Sequence, residues 1–122
     1  MVTADDRAEI TELVLARARA VDDGDRAAFT GLLRDAMVVI GGEETTGSSI
    51  GDLIAEGAQP TRHLVTNMRI SQAGTGAHVE SYFTLIGSHR LVASGRYRDR
   101  LDRHEGRWTF IRHEILVDPG VS

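Results

Sequence analysis

The sequence predicts an α+β domain in which N-terminal helices pack on one face of a curved, largely antiparallel sheet. Two observations carry this. Apolar residues recur at helical spacing through the first third of the chain, and beyond residue 60 the period falls to two. Only two prolines, at 60 and 119, interrupt the 122 residues, and neither repeats nor low-complexity tracts divide them, so 1–122 is read as a single domain. A chain of this length buries enough apolar surface to hold a core without staples.

Residues 4–22 form the first predicted helix. Thr3 followed by Asp6 resembles a capping box with Asp in place of Glu. Ile10, Leu13, Val14 and Val21 make its apolar stripe, and Asp22-Asp23-Gly24 ends it, because glycine tolerates the left-handed position after a helix. Asp25 caps a second, shorter helix to about Arg34 carrying Phe29, Leu32 and Leu33. Met37 to Ile40 is a β-rich run closed by Gly41-Gly42. Ser48 or Ser49 is expected to cap a third helix with Ile50, Leu53 and Ile54, ended by Gly57.

Strands follow. Over 62–71, His63, Val65, Asn67 and Arg69 alternate with Leu64, Thr66, Met68 and Ile70. After a turn at 73–76, residues 77–90 place Val79, Ser81, Phe83 and Leu85 on one face. Gly95, Tyr97, Asp99 and Leu101 alternate with Arg96, Arg98, Arg100 and Asp102. His104-Glu105-Gly106 is a hairpin turn, and strict alternation from 107 to 117 puts Trp108, Phe110 and Arg112 on one face.

Composition excludes several chemistries. There is no cysteine, hence no disulfide, thiolate nucleophile or cysteine zinc site. All 14 basic residues are arginine, which removes Schiff-base catalysis and a P-loop lysine. An acidic N-terminus without an apolar run does not read as a signal peptide, and no apolar stretch is long enough to span a bilayer. A net charge of −4 argues against nucleic acid and anionic lipid as partners. A cytoplasmic protein with no nucleic-acid and no membrane partner is the expectation. Most of the seven arginines between 90 and 112 alternate onto one strand face, which reads as a solvated or dimer-facing sheet surface.

The ordered segments Ala20-Val-Asp22-Asp23-Gly24-Asp25, Arg62-His63-Leu-Val-Thr-Asn67, Gly95-Arg-Tyr97-Arg-Asp99-Arg-Leu101 and Gly106-Arg-Trp108-Thr-Phe-Ile-Arg112 resemble the SnoaL-like branch of the nuclear transport factor 2-like superfamily. The resemblance covers nearly the whole chain. It implies a cone-shaped α+β barrel, three N-terminal helices on a curved antiparallel or mixed sheet, with a conical pocket for a small hydrophobic substrate. It also implies a homodimer. Superfamily members include dehydratases, a dehydrochlorinase, polyketide cyclases and ketosteroid isomerases, alongside non-catalytic proteins, so the fold does not choose the reaction.

Carried over residue by residue, the family's catalytic Asp matches Asp22 and its catalytic His matches His63. The Arg four residues after the last-strand Trp matches Arg112. Arg17 stands where the dehydratases carry a Tyr, a departure shared by the dehydrochlorinase, which has a basic residue there. An imidazole with an ordinary pKa near 6.5 suits a general base, and a carboxylate on its other nitrogen holds the tautomer. Arg17 and Arg112 would stabilise a departing anion or an enolate. Positions 17 and 22 lie about 140° apart round a helix, so the arrangement is expected to need unwinding at Asp22. Tyr97, Asp99 and Trp108 complete the expected substrate contacts, with Asp99 a rival catalytic acid if it is free of arginine and raised in pKa. His78, His89, His104 and His113 lack zinc-site spacing; no metal and no cofactor are expected.

Overall fold

The structure is a computed structural model that describes residues 1–120. Helix α1 spans Ala4–Asp23. Its start is the expected capping box: the Thr3 hydroxyl accepts from the Asp6 backbone at 3.1 Å, and the Asp6 carboxylate accepts from the Thr3 backbone at 2.8 Å. That backbone bond, with one from the Trp108 indole, holds the Asp6 carboxyl down at about 2. Gly24 ends α1 at φ +63, donating to the Ala20 and Val21 carbonyls. The Asp25 carboxylate then accepts from the Ala28 backbone and opens α2, Arg26–Leu33.

Strand β1, Met37–Ile40, turns back through Gly41 and Gly42, both at positive φ, into β2, Glu43–Thr46. The sequence offers no sign of β2, because a short edge strand buries no face and needs no apolar alternation. Helix α3 is only Gly47–Gly51, shorter than expected, and its cap is the Thr46 hydroxyl rather than a serine. The chain is irregular from there to residue 60, with Leu53 exposed and Ile54 buried.

The remaining strands are β3 (Thr61–Ala73), β4 (Gly76–Gly87), β5 (Arg90–His104) and β6 (Arg107–Val117). They build one six-stranded sheet in the order β2-β1-β6-β5-β4-β3, antiparallel except where β1 runs parallel to β6. Ile10 and Val14 of α1 and Phe29 and Leu33 of α2 pack on Val38, Val79, Leu101 and Phe110 to form the core. No helix is long and apolar enough to cross a membrane.

Three bulges bend the sheet, each adding one residue to one strand: Asn67 and Met68 face one position of β4, Val92 is extra in β5, and Ile111 is extra in β6. A bulge also reverses which side chains face inward. After Asn67, at φ +53, the inward residues are Met68 and Ile70 rather than Asn67 and Arg69. After Ile111 the inward residue is His113, and Arg112 lies on the outer face near Glu44 at 4.0 Å. The expectation that Arg112 shares a face with Trp108 and Phe110 is corrected on this ground. Trp108 faces inward as expected, but its indole donates to Asp6 at 3.0 Å and its backbone to Glu9 at 2.9 Å. It ties β6 to the start of α1 and is not in contact with the conical cavity, which corrects its expected place among the substrate contacts.

Candidate active site

Asp22 occupies the last turn of α1, which stays helical through Asp23. His63 is the third residue of β3, an edge strand whose outward backbone N–H groups have no strand partner. The Asp22 carboxylate takes up that freedom. It accepts from the His63 backbone at 3.0 and 3.2 Å and from His63 Nδ1–H at 2.6 Å. The Asp22 carbonyl also accepts from the Gln59 backbone at 2.8 Å, pinning the loop that leads into β3. A neutral imidazole whose Nδ1–H is committed to a carboxylate carries its lone pair on Nε2.

The second cluster is buried. Arg17 reaches inward from the middle of α1, 2% exposed, and grips Asp99 with two bonds of 2.9 and 3.2 Å. Its guanidinium lies over the rings of Tyr97 and Phe110, 4.9 and 4.8 Å from their centroids. His113 donates from Nδ1 to the same Asp99 at 2.6 Å. Burial alone would raise the Asp99 carboxyl, but the Arg17 charge and the bonds from His113 and Arg17 outweigh it and hold it below its ordinary value. Burial, and then the Arg17 charge, depress His113, so it stands neutral. Burial pushes the Tyr97 hydroxyl up to about 12.

Both clusters border one cavity of about 320 Å³, at the small end of the range of ~300–1,000 Å³ for small-molecule sites. Its polar lining is Arg17, His63, Tyr97 and His113; Val21, Phe29, Val38, Ile50, Ile54 and Ile115 are among its apolar walls. Asp22 does not line it. The carboxylate sits behind His63, in a separate polar cleft with Arg19, Asp23 and Arg62. Arg17 and Asp22 therefore need not share a helix face, and the expected unwinding of α1 is unnecessary.

The structure thus brings Asp22 to His63, and Arg17 and Tyr97 to the cavity. Asp99 lies beneath the lining, and Arg112 and Trp108 lie elsewhere. Asp99 is gripped by arginine and lowered in pKa, the reverse of what a proton-carrying Asp99 requires. His113 is the residue the sequence reading missed. No alternation marks it: past Phe110 the apolar residues Ile111, Ile115, Leu116 and Val117 fall on odd and even positions alike, so the shift is visible only in the pairing of β6 with β5. Among the described residues no three His, Asp or Glu side chains converge as a metal-binding group.

Residues 2–114 match the SnoaL-like domain family, and the chain belongs to that family. No curated protein matches it. Among solved structures, a protein of unknown function with a cystatin-like fold from Nostoc punctiforme PCC 73102 superposes with a TM-score of 0.85 at 23% identity, over 98% of this chain and 96% of that one. A nuclear transport factor 2-like protein with a cystatin-like fold from Novosphingobium aromaticivorans gives 0.80 at 20% identity, over 97% and 85%. The type-3 hexachlorocyclohexane dehydrochlorinase of Novosphingobium barchaimii LL02 gives 0.77 at 19% identity, over 94% and 88%. At these identities the likeness establishes the fold alone.

Proposed function

We propose that the protein is a cofactor-independent enzyme of the lyase or isomerase type, acting on a small hydrophobic molecule by proton abstraction. The observation that carries this is the 2.6 Å Asp22–His63 contact, with the imidazole in the wall of an apolar cavity. His63 Nε2 takes a proton from a substrate carbon. The electron pair of that C–H bond moves to form a double bond, either expelling an anion from the adjacent carbon or residing on an enolate oxygen. Asp22 remains ionised and stabilises the imidazolium, and Arg17 stabilises the anion through the face it presents to the cavity. Asp99 acts through Arg17, holding its guanidinium in place, and is a positioning residue.

The test is deuterium incorporation and elimination, followed by proton NMR in D₂O, across a panel of small cyclic ketones, β-hydroxyketones and chlorinated cyclohexanes. A substrate turned over by the native protein is expected to lose roughly 10²–10⁴-fold in rate on His63→Ala or Asp22→Asn. Undiminished turnover in both variants removes the dyad mechanism.

A further inference from the structure

The cavity holds a second histidine that the proton-abstraction reading does not use. His113 stands on β6, and three strand spacings separate β6 from β3 in the sheet order, about 14 Å between backbones. His113 from β6 and His63 from β3 both line that one cavity. Each imidazole is held at Nδ1 by a carboxylate at 2.6 Å, Asp99 for one and Asp22 for the other. The sequence carries no second match of that kind; the Ile111 bulge creates it.

The two rings differ in their surroundings. Asp99 is shared between His113 and the buried Arg17, so one carboxylate and one guanidinium already balance in charge. A proton on His113 would add an uncompensated charge at a site 3% exposed, which burial and the neighbouring guanidinium both oppose. The ring is a neutral imidazole whose Nδ1 carries the hydrogen. Its Nε2 is then an acceptor, with no protein donor among the described residues. Of the other polar linings, Arg17 is a donor only, the Tyr97 hydroxyl keeps its hydrogen and both donates and accepts, and His63 Nε2 is engaged with the reacting carbon in the proposed reaction.

We propose that His113 Nε2 is a specificity-determining acceptor that selects substrates carrying a hydroxyl: a small ring compound whose O–H points at β6 while its reacting carbon lies against His63. The inference rests on the reading of this cavity as a substrate site, and it narrows that substrate class. A hydroxyl docked on His113 fixes the ring's orientation, so the face presented to His63 is set by a bond to β6. Asp99 then serves two residues, holding the Arg17 guanidinium on one side and the His113 tautomer on the other.

The test uses 2-naphthol and naphthalene, a pair differing by one hydroxyl, titrated by fluorescence into the native protein and into His113→Phe, His113→Gln and His63→Phe. His113→Phe is expected to weaken 2-naphthol about tenfold, the equivalent of one lost hydrogen bond, and to leave naphthalene within twofold. His113→Gln, which restores an acceptor, recovers part of the loss, and His63→Phe leaves the difference between the probes intact. In native protein with ¹⁵N-labelled histidine, 2-naphthol and not naphthalene is expected to shift the His113 Nε2 resonance, a readout that needs no variant to fold. Equal loss of both probes in His113→Phe overturns the proposal. So does a hydroxyl preference abolished by His63→Phe instead, an unmoved His113 resonance, or no binding of either probe. Asp22→Asn slows proton abstraction without touching Nε2 of His113, so the catalytic reading and this one fail separately.

Discussion

Asp99 is where burial and charge act most directly on each other. Its carboxylate carries three short bonds from two partners, and its ionisation rests on the guanidinium beside it. Asp99→Asn leaves Arg17 buried without a counter-charge, and a cost of about 3–5 kcal/mol in unfolding free energy is expected from urea titration. The double variant Asp99→Asn with Arg17→Met removes both charges and is expected to recover most of it. His113 sets a pH dependence of known sign. Its folded value is depressed below the ordinary 6.5, so below that pH the unfolded chain binds a proton that the folded chain refuses. Stability therefore falls as pH drops from about 6.5. Asp99 acts lower down. Its folded value lies below the ordinary 3.8, so its contribution is complete above 3.8 and is lost as the pH falls beneath it. Replacing His113 by Gln is expected to flatten the first of these slopes, measured as unfolding free energy between pH 7 and pH 5.

Strand bulges decide which side chains meet the cavity. Asn67 sits at φ +53, a conformation that costs a β-branched residue about 1–2 kcal/mol more than it costs Asn or Gly. Asn67→Val is accordingly expected to destabilise by that amount while Asn67→Gly stays near neutral, compared by thermal melts. If the valine strand relieves its strain by slipping out of the bulge, Met68 and Ile70 lose their inward positions and the melt broadens as well. The helices were legible in the sequence because their signals are local. A capping box, a left-handed glycine and an Asp cap each act within a few residues, and all three stand where the pattern places them. The short edge strand β2 was not legible because it buries no face, and the true length of α3 was not legible because two of its buried residues, Gly47 and Gly51, carry no apolar signal.

The cone arises because helices close one end of a sheet that bulges have curved. Its 320 Å³ cavity persists because Val21, Phe29, Ile50 and Ile54 line it without filling it. Val21→Phe is expected to occlude the space, lowering 2-naphthol affinity at least tenfold, at a cost of about 1–3 kcal/mol for overpacking. Unchanged affinity in that variant places the probe outside the cone. Occupancy of the site also raises stability by mass action, so a substrate found by screening is expected to raise the melting temperature in proportion to its saturation.

By itself the sequence determined the α+β class, the family and the helix boundaries at Thr3 and Gly24, because local spacing and ordered motifs are written in consecutive residues; Asp22 and His63, 41 residues apart, were named as partners only through the family resemblance. It did not determine which arginine is buried or that a second histidine faces the cavity. Arg17 was read as a separate cation and Arg112 as its inward companion, whereas the fold turns Arg17 onto Asp99, sends Arg112 outward and brings in His113. Only the tertiary structure decided those three. For Arg112 and His113 the reason is a single extra residue in β6, which inverts every later side chain and whose place depends on pairing with a strand; for Arg17 it is the packing of α1 on the sheet, which brings it to Asp99, 82 residues away in sequence.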